Sequence, residues 1–527
     1  MTLRTMLCAS AALAALCGPA FADDAAIEKR LDQMEKKIEA QQDQIREQSA
    51  EIKVLKGALR KKGVAVASVE TAEAAPPVEA KVEQQQVQID QLTQKFANAQ
   101  DQTRIEKQET PSWSFPNGRP TIASRDGRFS LAIRALAQFD TAYYMQSASA
   151  AALPAANGPD LSSGANFRRA QLGLQGKLFG DWSYFINTEF GGSSGTETGG
   201  RVQAAYVEYD GLAPFALRIG AYPPAGGLED NESAADTLFL ERAGPSDIVR
   251  NAVGGDGRDA ASILYAGDKF YAALSYTGSK VGDAAQFDEQ QAVLARVADS
   301  VWSDSDSRFV LSATGADMFR APDSAAGPGS ARSLTLAVAP ELTVDSTGTK
   351  LVTTGAVDTE NATFWGVEAG GTWRNFYAQG GYFGYGMEQR GLPAKPSLNF
   401  DGWYGQLSWV ITGESRGYST ANAAFTSPKP SVPFSLSGGG WGAWELAARY
   451  SDLDLNDLAG AAGHATPFGG MRGGEQKIWT AGINWYPNSI LRFALDYQWI
   501  DVSRLSSAGK DVGQNLSAVS FRSQIAL

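Results

Sequence analysis

The sequence predicts an all-β transmembrane barrel of about sixteen antiparallel strands, preceded by an N-terminal α-helical coiled coil. Three observations point to the barrel. From about Arg128 to the C-terminus, apolar and polar residues alternate with period two. The alternating stretches run to roughly ten residues or more, the length a tilted strand needs to cross a bilayer, with Trp, Tyr and Phe near their ends. Beyond residue 22 no apolar run is long enough for a spanning helix. A closed sheet is then the only way for the backbone to cross with its polar groups paired.

The first 22 residues read as a secretory signal: Arg4 gives the positive start, Leu7 to Leu16 the apolar stretch, and Ala20-Phe21-Ala22 the small-x-small cleavage site. The apolar stretch is too short for a membrane anchor. Both cysteines, Cys8 and Cys17, fall inside this segment. Leu16 stands before Cys17 where a lipoprotein would carry a small residue. A processed chain therefore has no thiol for disulfides, metal sites or nucleophilic catalysis.

Residues 23–62 read as the coiled coil. Leu31, Ile38, Ile45, Ile52 and Leu59 stand seven apart, and Ile27, Met34 and Leu55 fill the companion seam, interrupted by Gln41 and Gln48. A 3.5-residue apolar period with charged flanks packs helices into a supercoil, and polar seam residues fix its register. Residues 63–120 read as a linker, rich in Ala, Val, Glu and Pro, that carries a second short helix with Val82, Ile89, Leu92 and Phe96 in heptad-like spacing. Three prolines between Thr110 and Pro120 end it.

Residues 121–527 form the barrel domain. In the first strand Phe129, Leu131, Ile133, Ala135, Ala137 and Phe139 share one face, with Ser130, Arg134, Gln138 and Asp140 on the other. Around Arg169, Ala170, Leu172, Leu174 and Leu178 oppose Gln171, Gln175 and Lys177. Around Arg449, Trp444, Leu446, Ala448 and Tyr450 oppose Glu445 and Ser451. Leu491, Phe493, Leu495, Tyr497 and Trp499 oppose Arg492, Asp496 and Gln498. The last strand alternates Val519, Phe521, Ile525 and Leu527 against Ser520, Arg522 and Gln524. The apolar faces meet lipid and the polar faces meet a water-filled lumen.

Composition excludes other classes. A formal charge of −12 argues against a nucleic-acid partner. The single histidine, His464, lies in a Gly/Ala loop with no nucleophile paired to it, which argues against an enzyme. No ligand cluster for a metal is visible, and no cofactor is expected.

Asn166 to Phe190 (NFRRAQLGLQGKLFGDWSYFINTEF) and Leu217 to Ala243 (LRIGAYPPAGGLEDNESAADTLFLERA), followed by FWGVEAGGTW, YGQLSWVITGE, GAWELAARYSDLD and TAGINWYPNSILRFALDYQ, resemble the phosphate-selective porin O/P family in family order. The resemblance implies a trimeric sixteen-stranded barrel in the bacterial outer membrane, among lipid and lipopolysaccharide, with a periplasmic N-terminal segment. It implies passive passage of small anionic or neutral solutes and favours three strands for the coiled coil. It places Arg134, Arg168, Arg169 and Arg522 on lumen arginines of the family, and Arg218 and Arg449 join the pore-lining set. Alternation turns Arg134, Arg169 and Arg522 inward but puts Arg168 on the opposite face, so a bulge or the strand's loop end must re-aim it.

The third loop departs from the family. Asp230 stands where phosphate-selective members carry lysine, followed by Glu232 and Asp236, and Gln203 replaces a strand aspartate. A carboxylate at the narrowest point disfavours a multiply charged anion, so the expectation is an anion preference weakened by an acidic constriction. The alternative expectation is a non-selective or cation-tolerant porin whose coiled coil also tethers the membrane to peptidoglycan.

Overall fold

The computed structural model describes residues 78–109, 111–146, 160–192, 200–281, 287–391 and 393–527, with scattered positions between 36 and 61. The signal segment and the seam residues Leu31, Ile38, Ile45, Ile52 and Leu59 lie outside the described residues. Two compact units divide between Thr110 and Pro111.

The first unit contributes α1 (Val78–Glu109), 32 residues long where the sequence suggested a short helix. Its span contains no Gly or Pro and many Gln, Glu, Lys and Ala, so nothing interrupts it before Pro111. Ile89 is buried, and Leu92 and Phe96 are half-buried.

The second unit is a closed antiparallel barrel of sixteen strands. They are β1 (Ser130–Gln146), β2 (Gly164–Leu178), β3 (Trp182–Glu189), β4 (Arg201–Leu212), β5 (Phe215–Ala221), β6 (Arg258–Ala266), β7 (Phe270–Lys280) and β8 (Gln291–Ser303). β9 (Ser307–Arg320), β10 (Val357–Trp373), β11 (Phe376–Gln389), β12 (Leu398–Val410), β13 (Ala443–Asp457), β14 (Met471–Tyr486), β15 (Leu491–Ser503) and β16 (Gln514–Ala526) complete it. Pairing of β16 with β1, from Leu516↔Gln146 to Ala526↔Leu136, closes the sixteen strands into a barrel. Pro111–Pro120, read from sequence as linker, instead enters the sheet: Ser112–Ser114 pairs with Thr121–Ala123, which pairs with the start of β1.

Alternation sorts the faces. Leu172, Leu174, Ile263, Leu274, Val367 and Leu407 are exposed on the outside, as lipid-facing residues must be. Aromatics make two tiers there. Trp365–Tyr382 and Trp403–Tyr450–Trp479 form one, and Trp373–Phe376–Trp409 with Trp444–Trp485–Phe493 the other. Trp403 and Trp409 share a strand six residues apart, roughly 20 Å along it. That spacing suits the two water boundaries of an apolar band.

The lumen is filled from both ends. At the long-loop end, the 222–257 loop folds inward and carries α2 (Gly244–Val253). Ile248, Val249, Ala252 and Val253 recur at helical spacing and are buried with Leu336, Val338 and Leu342 of the 321–356 loop and Leu453 of the wall. Each buried Ile, Val or Leu of this set contributes about 1.5–3 kcal/mol. The helix start is capped by carboxylates: Glu229 accepts from the Ala243 N–H at 3.2 Å and Glu341 from the Gly244 N–H at 2.8 Å. At the short-turn end, the long 411–442 segment, which forms the hairpin Gly417–Ser419/Ala424–Thr426, also enters the barrel.

Candidate functional site

The third loop folds into the lumen, and the wall holds it by its backbone. Four buried arginines donate to successive loop carbonyls. Arg416 reaches Asp236 O at 2.5 Å, Arg492 reaches Thr237 O at 2.6 Å and Leu238 O at 2.8 Å, Arg522 reaches Leu240 O at 2.6 Å, and Arg449 reaches Glu241 O at 2.9 Å. Wall carboxylates take the loop's N–H groups. Glu368 accepts from Leu228 at 2.5 Å and Glu229 at 3.2 Å, and Asp496 accepts from Leu240 at 3.1 Å. Charged partners make these hydrogen bonds stronger than neutral ones. Gly226 and Gly227 permit the close approach: a Cβ on Gly227 would lie 2.7 Å from Glu368 Oε2, and one on Gly226 2.5 Å from Asp230 Oδ2.

This clasp corrects two pore-lining expectations. Arg449 and Arg522 do face inward, but both are sealed. Arg522 grips Asp140 with two bonds of 2.7 and 2.6 Å, the two side chains being 0% and 1% exposed. Arg449 pairs with Glu341 and lies 3.6 Å from Glu229. Both are buried, Arg449 at 2% and Arg522 at 0% exposure. The cause is the loop itself, which occupies the volume into which they point.

Chambers remain on both sides of the loop. The one toward the long loops, about 230 Å³, is bordered by Arg168, Arg201, Glu241, Asp247, Lys280 and Lys350. The one toward the short turns, about 430 Å³, is bordered by Arg119, Arg134, Arg218, Lys429 and the carboxylates Asp230, Glu232 and Asp236. Arg169, Arg242, Arg250 and Asp256 border both and so mark the neck between them.

Geometry at this neck follows from local structure. In β2, Gln138 pairs with Arg169 while the next β1 residue, Phe139, pairs with Phe167. Arg168 is thus the extra residue of a bulge, and this is what turns it inward beside Arg169. Arg168 makes a two-pronged pair with Glu241 at 2.6 and 2.9 Å. Arg169 donates to Gln138 at 2.7 Å and lies 4.0 Å from Glu241. Arg250 of α2 sits between Asp230 at 2.6 Å and Asp256 at 2.5 Å. Arg242 donates to the carbonyls of Glu229, Asp230 and Glu232, tying the loop to itself. Gln203 donates to Asp256 at 2.9 Å.

Burial pushes the Glu232 carboxyl up to about 8, Arg416 offsetting only part of it, and pushes Glu229 up to about 7 against Arg449 and Arg242. Burial would also raise Asp256 and Glu241, but neighbouring guanidinium groups outweigh it. Arg250, Arg169 and Arg242 hold Asp256, and Arg168, Arg169 and Arg522 hold Glu241, well below the usual carboxylate range.

Of the other expected residues, Arg134 borders the larger chamber and donates to Gln175 at 3.1 Å, and Arg218 pairs with Glu208 at 2.6 Å. His464 is exposed in the 458–470 loop. Sequence reading did not single out Arg242 and Arg250 at the neck, the clasp residues Arg416 and Glu368, or Arg119 at the short-turn mouth, and it placed Arg492 and Asp496 on the lumen face without a role. Arg242 stands just before the Pro-initiated helix and Arg250 in its last turn, a signal that could have drawn attention to them.

The family model for phosphate-selective porin O and P matches residues 147–527. Porin O of Pseudomonas aeruginosa is 26% identical over 373 residues, which cover 66% of this chain and 79% of that protein. A protein of Caulobacter vibrioides is 32% identical over 158 residues, 30% of this chain and 28% of its own. Among solved structures, an anion-selective porin from Comamonas acidovorans has a TM-score of 0.45 and 12% identity, over 76% of this chain and 100% of that one.

Proposed function

Because the chain belongs to the phosphate-selective porin O and P family, and so is a channel of the bacterial outer membrane rather than an enzyme, we propose that it passes small hydrophilic solutes passively, favours anions, and has lost strong phosphate selectivity. One observation carries the proposal: Arg169, Arg242 and Arg250 border the neck shared by both chambers, opposed there by Asp256, with Asp230 bonded to Arg250. Guanidinium groups stay charged and offer forked donors to oxyanions. Asp230 cancels one of them, which weakens the field without reversing it. Family resemblance and the short strands β3, β5 and β6 support a homotrimer. These strands have 8, 7 and 9 residues, mostly below the roughly 9–11 that a lipid-facing strand needs.

Purified protein in planar bilayers tests this. The expected result is conductance arriving in groups of three equal steps, with a reversal potential in a KCl gradient displaced toward the chloride equilibrium. Displacement toward potassium would remove the anion preference, and single steps would remove the trimer.

Selectivity is also expected to depend on pH. Glu232 and Glu229 are carboxyls pushed up to about 8 and about 7, so they are charged at alkaline pH and become neutral as pH falls through this range. Losing negative charge beside the passage strengthens anion preference. Lowering pH from about 9 to about 6 should therefore move the reversal potential further toward chloride. Glu232→Gln should flatten most of that change, and an unchanged pH profile in this variant would exclude Glu232 as its source.

A further inference from the structure

Between the neck and the periplasmic mouth, the larger chamber carries a feature that passage of small inorganic ions does not require. The Arg134 guanidinium lies 5.3 Å from the Phe185 ring centroid, and that ring lies 5.5 Å from Tyr206. Tyr206 in turn lies 4.5 Å from the Arg218 guanidinium. Phe185 and Tyr206 are half-buried and border the chamber, so each keeps ring surface open to it.

The cations around these rings divide into two kinds, and the carboxylates Asp230, Glu232 and Asp236 border the same chamber. Arg218 is neutralised by Glu208 at 2.6 Å, so it serves to fix Tyr206. Arg119, Arg134 and Lys429 border the same chamber, and among the described residues no ion pair within 4.0 Å joins any of them to a carboxylate. The Arg119 Nε is buried and has no hydrogen-bond partner in the structure.

Open rings do nothing for an inorganic oxyanion, which has no apolar surface. A planar aromatic carboxylate offers both halves of the match. Its ring packs offset or edge-on against Phe185 and Tyr206, while its carboxylate reaches Arg134 and Arg119. A volume of about 430 Å³ accommodates a molecule of this size. We propose that the periplasmic chamber is a binding site for planar aromatic carboxylates, of which benzoate is the simplest. This rests on the anion-favouring reading above and adds a solute class to it.

The test uses the full-length protein in planar bilayers and measures how benzoate and cyclohexanecarboxylate reduce the KCl current. The two probes share charge and approximate size, but only one has a π face. Benzoate is expected to act at concentrations roughly three- to tenfold lower. Phe185→Leu should remove that difference, and Arg134→Gln should weaken both probes. Equal potency on the wild-type channel, or an undiminished difference in Phe185→Leu, would overturn the site. Undiminished potency of both probes in Arg134→Gln would overturn the carboxylate seat. A cation-directed reversal potential in KCl alone would instead end the underlying anion reading, so the two failures are distinguishable.

Discussion

Asp230→Asn should turn the channel markedly more anion-selective. Asp230 Oδ1 lies 2.6 Å from Arg250 and 4.0 Å from Arg242, two of the three arginines at the neck. Removing its charge restores about one positive charge to the narrowest part of the passage. At an effective dielectric near 20 and a separation of about 6 Å, that charge changes the energy of a passing monovalent ion by about 3 kcal/mol, and mobile salt reduces this severalfold. A rise of roughly tenfold in the anion-to-cation permeability ratio is expected, read from reversal potentials at low ionic strength. Arg250 keeps Asp256 at 2.5 Å, so the loop retains a charged anchor. Asp230→Lys should go further in the same direction, but it sets three cations together and strains the loop. An unmoved reversal potential in both variants would take Asp230 out of the selectivity-determining set.

Arg522→Leu should cost the most stability of any single change considered. Its guanidinium is fully buried, holds Asp140 with two bonds, and donates to Leu240 O at 2.6 Å. Removing one partner leaves a buried carboxylate without its counter-charge, a loss of about 3–5 kcal/mol. The urea midpoint should fall, and the resistance of the barrel to unfolding on heating in detergent should fall with it. Combining Arg522→Leu with Asp140→Leu should recover much of the loss, because an apolar pair of similar volume has no charge to desolvate. Single-channel records of the double variant should still be noisier, because Leu240 O has lost its donor and the loop is less firmly held. If the single variant unfolds at the wild-type midpoint, the pair does not support the fold.

Much of the barrel was legible because strand alternation is a local property. Arg134, Arg169 and Arg522 turn inward as period two requires, and the closing strand reads the same in sequence and in space from Val519 to Ile525, whereas Leu527 lies beyond the strand and borders the larger chamber. Arg168 shows where this stops. Its face depends on a bulge, and a bulge belongs to the pairing of two strands, which neither strand encodes alone. The uses of the arginines were still less legible. That Arg522 and Arg449 serve the loop, while Arg242 and Arg250 border the passage, follows from contacts between residues often more than 200 positions apart. Composition told of arginines facing an acidic loop but not which would be consumed in holding it. The 411–442 segment was missed for a similar reason: its length was visible, but not that it turns into the lumen.

The origin of the clasp has a consequence for assembly. The third loop joins β5 to β6, whereas the arginines that seat it come from the 411–442 segment and from β13, β15 and β16. Until the last strand has zipped against the first, Leu240 has no Arg522 to meet, and the loop has no fixed position. The neck is thus complete only once the barrel has closed, and a half-built sheet encloses no selective passage. Maturation of the filter and sealing of the wall are one event.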